Sequence, residues 1–212
     1  MARGELFIVS APSGAGKSTL IRKAIEGLAG HRGVTFSVSH TTRRPRAGEV
    51  EGKDYYFIDR EAFEKMIAED RFLEWANVYE EFKGTSCDEV LPRLEQGIDV
   101  ILDVDVQGAE QVMERFPESI GIFILPPGPQ ELSRRLHERG LDEEQEIARR
   151  LAVSLWEIKR YPQYQYVIIN DDLDRASDHL TAIILEKRPQ LERQKERVEQ
   201  ILRDFEAAHG TE

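Results

Sequence analysis

Residues 11–18 read APSGAGKS, a run of small residues ending in a lysine and a hydroxyl. The pattern G-x-x-x-x-G-K-[ST] forms a loop whose backbone N–H groups cradle phosphate oxygens. This stretch supplies Gly16, Lys17 and Ser18, with Ala11 where the strict pattern has glycine. An apolar strand precedes it and an amphipathic helix follows, which is the context such a loop requires. The N–H groups of residues 13–18 can then point at β-phosphate oxygens. Lys17 is expected at the β- and γ-phosphates and the Ser18 hydroxyl on Mg²⁺. The plain alternative is a Gly/Ser turn that only joins strand to helix. Ala11 is tolerable provided its φ is negative.

Residues 39–49, SHTTRRPRAGE, crowd three arginines into four positions of a chain with formal net charge −11. So acidic a chain argues against a binder of nucleic acid or an anionic membrane, which would need a basic face, and a local basic cluster then reads as a site for a small anion. Planar guanidinium groups grip phosphate oxygens in a bidentate fork that lysine cannot copy. Asp103, in VILDVDV (100–106), falls at the carboxyl end of a buried strand near the phosphate loop. A buried carboxylate needs a partner, either a Mg²⁺ shell reached through water or the loop backbone. Arg135 and Arg139, four apart, share a helix face, and Arg150 comes from the next helix. The five histidines (31, 40, 137, 179, 209) show no metal-ligand spacing, and the single Cys87 has no partner for a disulfide, as in a reducing compartment.

The elements that must hold these groups are legible as runs. LFIV (6–9), VILDVDV, IGIFIL (120–125) and YVIIN (166–170) are apolar at successive positions, as strands covered on both faces are. Leu20, Ile21, Ala24, Ile25 and Leu28 recur at helical spacing and stop at Gly30. The rhythm predicts an α/β fold, a parallel sheet flanked by helices. VTFSVS (34–39) alternates and so predicts a strand of a separate one-sided sheet, joined by DYYFID (54–59) and FLEWANVYEEF (72–82) in a small mixed insertion. The charged stretch 134–151 breaks at Gly140 and restarts with Asp142 as N-cap and Gln145 three residues on; it is a mobile flap or a solvated hairpin. From about 174 the chain reads helical, with Pro189 dividing it. A thin stripe of Leu191, Val198, Leu202 and Phe205 would dock on the core or form a dimer contact. No run approaches a membrane span or a signal peptide, so a cytoplasmic protein is expected.

Taken together, APSGAGKS, SHTTRRPRAGE with GKDYYF, FLEWA, ILDVDVQGA, the paired arginines and VIINDDL resemble guanylate kinases over about residues 4–185. The resemblance implies a phosphate-loop kinase fold that passes the γ-phosphoryl of ATP to GMP with Mg²⁺. Its implied parts are a core (1–34, 86–127 and 156–212), a GMP-binding insertion (35–85) and a helical lid (128–155). ATP would be held by Ala11, Pro12, Ser13, Gly14, Ala15, Gly16, Lys17, Ser18 and Thr19, with Asn170 approaching its adenine. Arg43 and Arg46 would grip the GMP phosphate, Tyr55 would donate to it, and Glu49 would orient the cluster, leaving Arg44 as surface charge. Ser39, Glu74, Thr85 and Asp105 would read guanine: Glu74 accepting from N1–H and N2–H, Ser39 and Thr85 donating to O6, and Asp105 approaching N2. Lys17, Arg43 and the lid arginines Arg135, Arg139 and Arg150 would carry catalysis, while Arg134 and Arg149 point elsewhere. Ser18 and Asp103 would serve the metal. Lys83 departs from the family, which usually has a tyrosine there whose hydroxyl reaches the acceptor phosphate.

Two other readings stay open on sequence alone. One is a catalytically silent binding module, against which Lys17, Ser18 and the lid arginines speak. The other is a kinase of a phosphorylated sugar, which would have no use for a base-reading set. Expected partners are ATP and GMP, with dGMP acceptance and the choice of monomer or homodimer undecided.

Overall fold

The computed structural model describes residues 3–28, 33–78, 81–138, 144–186 and 198. The chain opens with β1 (Leu6–Ser10), every residue of it buried, and turns through the glycine loop into α1 (Lys17–Leu28). Leu20, Ile21, Ala24 and Leu28 face inward, whereas Ile25 is exposed at the margin of the stripe. Then come β2 (Val34–Phe36), β3 (His40–Thr41), β4 (Tyr56–Phe57) and α2 (Arg60–Ala68), the last capped by Asp59, whose carboxylate accepts from Ala62 N–H. β5 (Phe72–Val78), β6 (Glu81–Ser86) and α3 (Cys87–Glu95) complete the middle of the chain. The last third runs β7 (Asp99–Asp103), α4 (Val106–Arg115), β8 (Ile120–Leu125), α5 (Pro129–Glu138), α6 (Glu144–Ile158), β9 (Tyr166–Ile169) and α7 (Leu173–Glu186).

Two sheets result. The larger has the order β2-β7-β1-β8-β9 with every pairing parallel. Alternate residues explain its unbroken apolar strands: Phe7 and Val9 face α1 and α7, and Leu6 and Ile8 face α3 and α4. The smaller sheet, β4-β3-β6-β5, rests on its own cluster of Phe63, Met66, Phe72 and Phe82, in which Phe63 stacks on Phe72 at 4.3 Å. Its long pair β5–β6 is an antiparallel hairpin.

Two expectations are corrected. VTFSVS does not open the smaller sheet: Val34–Phe36 pairs with Asp99–Ile101 as an edge strand of the parallel sheet. Val34 and Phe36 pack, partly buried, against the cluster under α1 and α7, while Thr35 points to the other face, so an edge strand shows the alternation of a one-sided sheet. VILDVDV is not one strand either. It ends at Asp103, because Asp105 caps α4 by accepting from Gly108 N–H at 2.8 Å and Val106 is already helical. Gly30, Arg139, Gly140, Asp142, Pro189, Leu191, Leu202 and Phe205 lie outside the described residues, as do His31 and His209 and the side chain of Gln145. Val198 is described alone, helical and 47% exposed. No helix among the described residues is long and apolar enough to cross a membrane.

Candidate active site

The loop 11–16 sits at the carboxyl edge of β1, where a parallel sheet customarily places its ligand. Gly14 and Gly16 have φ of 88° and 90°, conformations that a side chain disfavours. Both are also crowded: a Cβ on Gly14 would meet the Leu132 and Leu136 side chains at 2.9 Å, and one on Gly16 the Asn170 amide at 2.6 Å. Ala11 escapes that demand, since Asp70 is the one non-glycine residue with positive φ among those described. Ala11 to Ser18 line a cavity of about 250 Å³ together with Asp105 and Glu157.

The loop is braced from beneath. The Asn170 amide donates to the Ala15 carbonyl at 2.8 Å and Arg135 donates to the same oxygen at 3.0 Å. Arg135 also donates to the Asn170 carbonyl at 2.9 Å and to Glu131 at 2.7 Å. The Arg134 and Arg135 guanidinium groups hold the Glu131 carboxyl down at about 2. The expectations for Asn170 and Arg135 therefore change: Asn170 is only 4% exposed and spends its amide on the loop, and Arg135 is a brace in this conformation. Lys17 folds back onto Asp103 and onto the Val104 carbonyl at 2.6 Å. Asp103 thus has the loop lysine, not the loop backbone, as its partner. Ser18 and Thr19 are exposed at the start of α1.

From α6, Glu157 accepts from Ser13 N–H at 3.1 Å and Ser154 donates to the Ser13 carbonyl at 3.4 Å. Burial pushes the Glu157 carboxyl up, Asp105 adding to the effect and Lys17 opposing it. A second cavity of about 540 Å³ shares Ser13, Asp105 and Glu157 and is bounded by Arg149 and Arg150. The expectation that Arg149 points elsewhere is corrected, since it borders this cavity beside Arg150. Arg134, exposed and paired with Glu131 at 2.6 Å, does point away. Glu157 was findable: it lies seven residues, two helical turns, beyond Arg150.

The smaller sheet and the loops around it bring the other set together. Arg43 forks onto Glu49 at 2.8 and 3.0 Å, and Arg46 N–H donates to the same carboxylate at 2.7 Å. The Arg43 bond, with Arg46 behind it, holds the Glu49 carboxyl below the usual carboxylate range. Arg43 and Lys83 each approach the Tyr55 ring at 5.4 Å. Burial opposes the Lys83 charge, but Tyr55, Asp103, Glu74 and Asp105 together hold its ammonium above the ordinary range. Arg44 and the Arg46 side chain are exposed.

Deeper in, Glu74, Thr85 and Ser39 are all buried. The Thr85 hydroxyl pairs with Glu74 at 2.7 Å and lies 3.4 Å from that of Ser39. The single Thr85 proton is spent on Glu74, so in their contact Ser39 is the donor and Thr85 the acceptor. Burial drives the Glu74 carboxyl up, with the Thr85 bond and Lys83 pulling the other way. Gly108 makes room for it: a Cβ there would come within 2.8 Å of Glu74 Oε2. Asp105 has one oxygen committed to its helix cap.

A phosphate loop facing a second pocket, with arginines outside and a buried carboxylate inside, has close relatives. The guanylate kinase family model matches residues 3–187. This chain belongs to the guanylate kinase family. The guanylate kinase of Shewanella violacea is 51% identical over 187 residues, 88% of this chain and 89% of that one. The guanylate kinase of Escherichia coli K12 is 47% identical over 197 residues, covering 93% and 95%. The crystal structure of the guanylate kinase from Anaplasma phagocytophilum superposes with a TM-score of 0.72 at 33% identity, covering 91% of this chain and 90% of that one. The guanylate kinase fold thus accounts for both sheets and for the helices on the faces of the larger.

Proposed function

We propose that this chain transfers the γ-phosphoryl group of ATP to GMP, giving ADP and GDP, by the residues that follow. The observation that carries the acceptor is the buried Glu74 carboxylate beside Ser39. Guanine offers N1–H and N2–H as adjacent donors, which an ionised carboxylate accepts together, and O6 takes the Ser39 hydroxyl. Adenine would set a lone pair against Glu74, and sites of this type reject such a mismatch by about 10⁴. Arg43, Arg46 and Tyr55 bind the acceptor phosphate, with Glu49 fixing the Arg43 fork. Lys83 adds a cation where relatives place a tyrosine hydroxyl, and Asp105 faces N2 with its free oxygen.

The triphosphate lies along Ala11–Thr19, where the loop N–H groups and the N-terminus of α1 favour its charge. Lys17 exchanges Asp103 for phosphate oxygens as the nucleotide arrives. Phosphoryl transfer rests on positioning and charge neutralisation, so no protein nucleophile is needed. Arg150, with Arg149 beside it, faces the cavity where the transferred group would pass, and Arg135 keeps the loop shaped to receive it. Arg139 completes the lid set by family resemblance.

Ser18 and Asp103 are hard oxygen donors, and no cluster of three acidic or histidine ligands occurs among the described residues. That set fits Mg²⁺, which keeps most of its waters and takes few protein ligands. Held there by Ser18 and Asp103 with ATP, it would supply positive charge against the phosphate oxygens. We divide the chain into core, acceptor-binding insertion and lid at the boundaries given above, with β2 counted in the core, and we place the protein in the cytoplasm. The test is an acceptor screen with ATP and Mg²⁺. GMP should be phosphorylated and AMP and ribose phosphates refused; turnover of AMP at a comparable rate would overturn the reading.

A further inference from the structure

Glu89 is a carboxylate only 7% exposed, lying in the first turn of α3 outside both pockets. Two other segments of the chain meet on it, and its own helix adds a third partner. Its oxygens accept from the Tyr56 hydroxyl of β4 at 3.2 Å and from Val38 N–H, between β2 and β3, at 3.4 Å. Arg93, one turn on, pairs with it at 3.0 Å and supplies the charge a buried carboxylate requires. Its own N–H is held by the Ser86 hydroxyl, the N-cap of α3, at 3.2 Å.

Apart from Arg93, each of these partners is next in sequence to an acceptor-site residue. Val38 precedes Ser39, Tyr56 follows Tyr55, and Ser86 follows Thr85. Tyr56 N–H also donates to the Ser39 carbonyl at 2.9 Å, so the first two are locked together. The His40 ring packs on Tyr56 with centroids 4.8 Å apart and holds the phenol from another side. Burial lowers the His40 pKa, against the pull of Glu89, as expected of a dry junction.

We infer that Glu89 is a positioning residue for the acceptor: its carboxylate sets the spacing of the base-reading Ser39 and the phosphate-binding Tyr55, while its backbone N–H, held by Ser86, anchors it beside Thr85. It touches no substrate, and its carboxylate acts through Val38 and Tyr56. Its two carboxylate bonds tie α3 to β4 and to the connection between β2 and β3, so loosening Glu89 loosens the acceptor pocket and leaves the phosphate loop as it is. The inference rests on the assignment of Ser39, Tyr55 and Thr85 to the acceptor.

Steady-state kinetics of Glu89→Gln, Tyr56→Phe and the double variant, alongside thermal midpoints, test it. Each single change should raise KM for GMP about fivefold and leave KM for ATP within twofold. The double variant should be little worse than either single, because both break one linkage. The inference is overturned by an unchanged GMP KM in Tyr56→Phe, by equal rises in both KM values, or by multiplicative effects in the double variant. Should Glu89→Gln fail to fold, Tyr56→Phe alone still decides, since it removes only a hydroxyl. Ser39→Ala is the control: if it leaves the GMP KM untouched, the acceptor assignment itself is wrong.

Discussion

Thr85 donates its hydroxyl proton to Glu74 at 2.7 Å, and the two side chains are buried together on the paired strands β5 and β6. Burial disfavours the Glu74 charge more than Thr85 and Lys83 restore it, so this carboxyl titrates above the ordinary range. Guanine binding needs the ionised form. GMP affinity should therefore weaken as pH falls through that raised value, while ATP affinity does not follow. Glu74→Gln should flatten the profile and cost about 10- to 100-fold in GMP affinity. In the unliganded protein the folded state holds this proton longer than the unfolded chain does. Stability then falls as pH rises from the unfolded carboxyl value through the folded one, and Glu74→Gln should remove that slope in thermal melts.

Gly108→Ala should separate stability from acceptor binding. The residue is helical, so alanine favours α4 by about 1 kcal/mol. The new methyl would press on Glu74 Oε2, the movable end of a side chain, and turn the carboxylate from its place. The melting point should hold or rise while KM for GMP climbs several-fold.

Asn170→Ala removes one of two donors to the Ala15 carbonyl and leaves a gap under the loop. A cost of about 1–3 kcal/mol is expected, a drop of several degrees in Tm. KM for ATP should rise and KM for GMP should stay, as substrate titrations would read.

Arg135→Ala and Arg134→Ala are neighbours with opposite expectations. Arg135 braces Ala15 and Asn170, so its loss should lower both kcat and Tm. Arg134 makes an exposed pair with Glu131 that solvent screens, and its loss should leave turnover within twofold. Equal effects on kcat would remove Arg135 from the site.

Lys83→Ala should raise KM for GMP about tenfold, and Lys83→Tyr should recover most of it, since a tyrosine hydroxyl can reach the same phosphate. If neither change moves that constant, the Lys83 ammonium plays no part in binding the acceptor.

Much of this was legible before any coordinates. The phosphate loop depends on local chemistry, glycines where φ is positive and a lysine at a fixed offset, so APSGAGKS announced it. The parallel sheet showed in strands apolar on both faces. The pairing of Arg43 with Glu49, six residues apart, also lay within one loop.

What the sequence could not decide was whatever depends on distant segments meeting. β2 looked one-sided because Val34 and Phe36 face the core and Thr35 the other side, and only its pairing with β7 assigned it to the parallel sheet. Asn170 and Arg135 became braces because β9 and α5 converge beneath Ala15. The helical spacing put Glu157 on the face of Arg150, but that it grips Ser13, 144 positions away, and that Glu89 ties Val38 to Tyr56 left no local pattern. Local propensity sets which residues can do the chemistry; the packing of remote elements sets which of their hydrogen bonds are already spent.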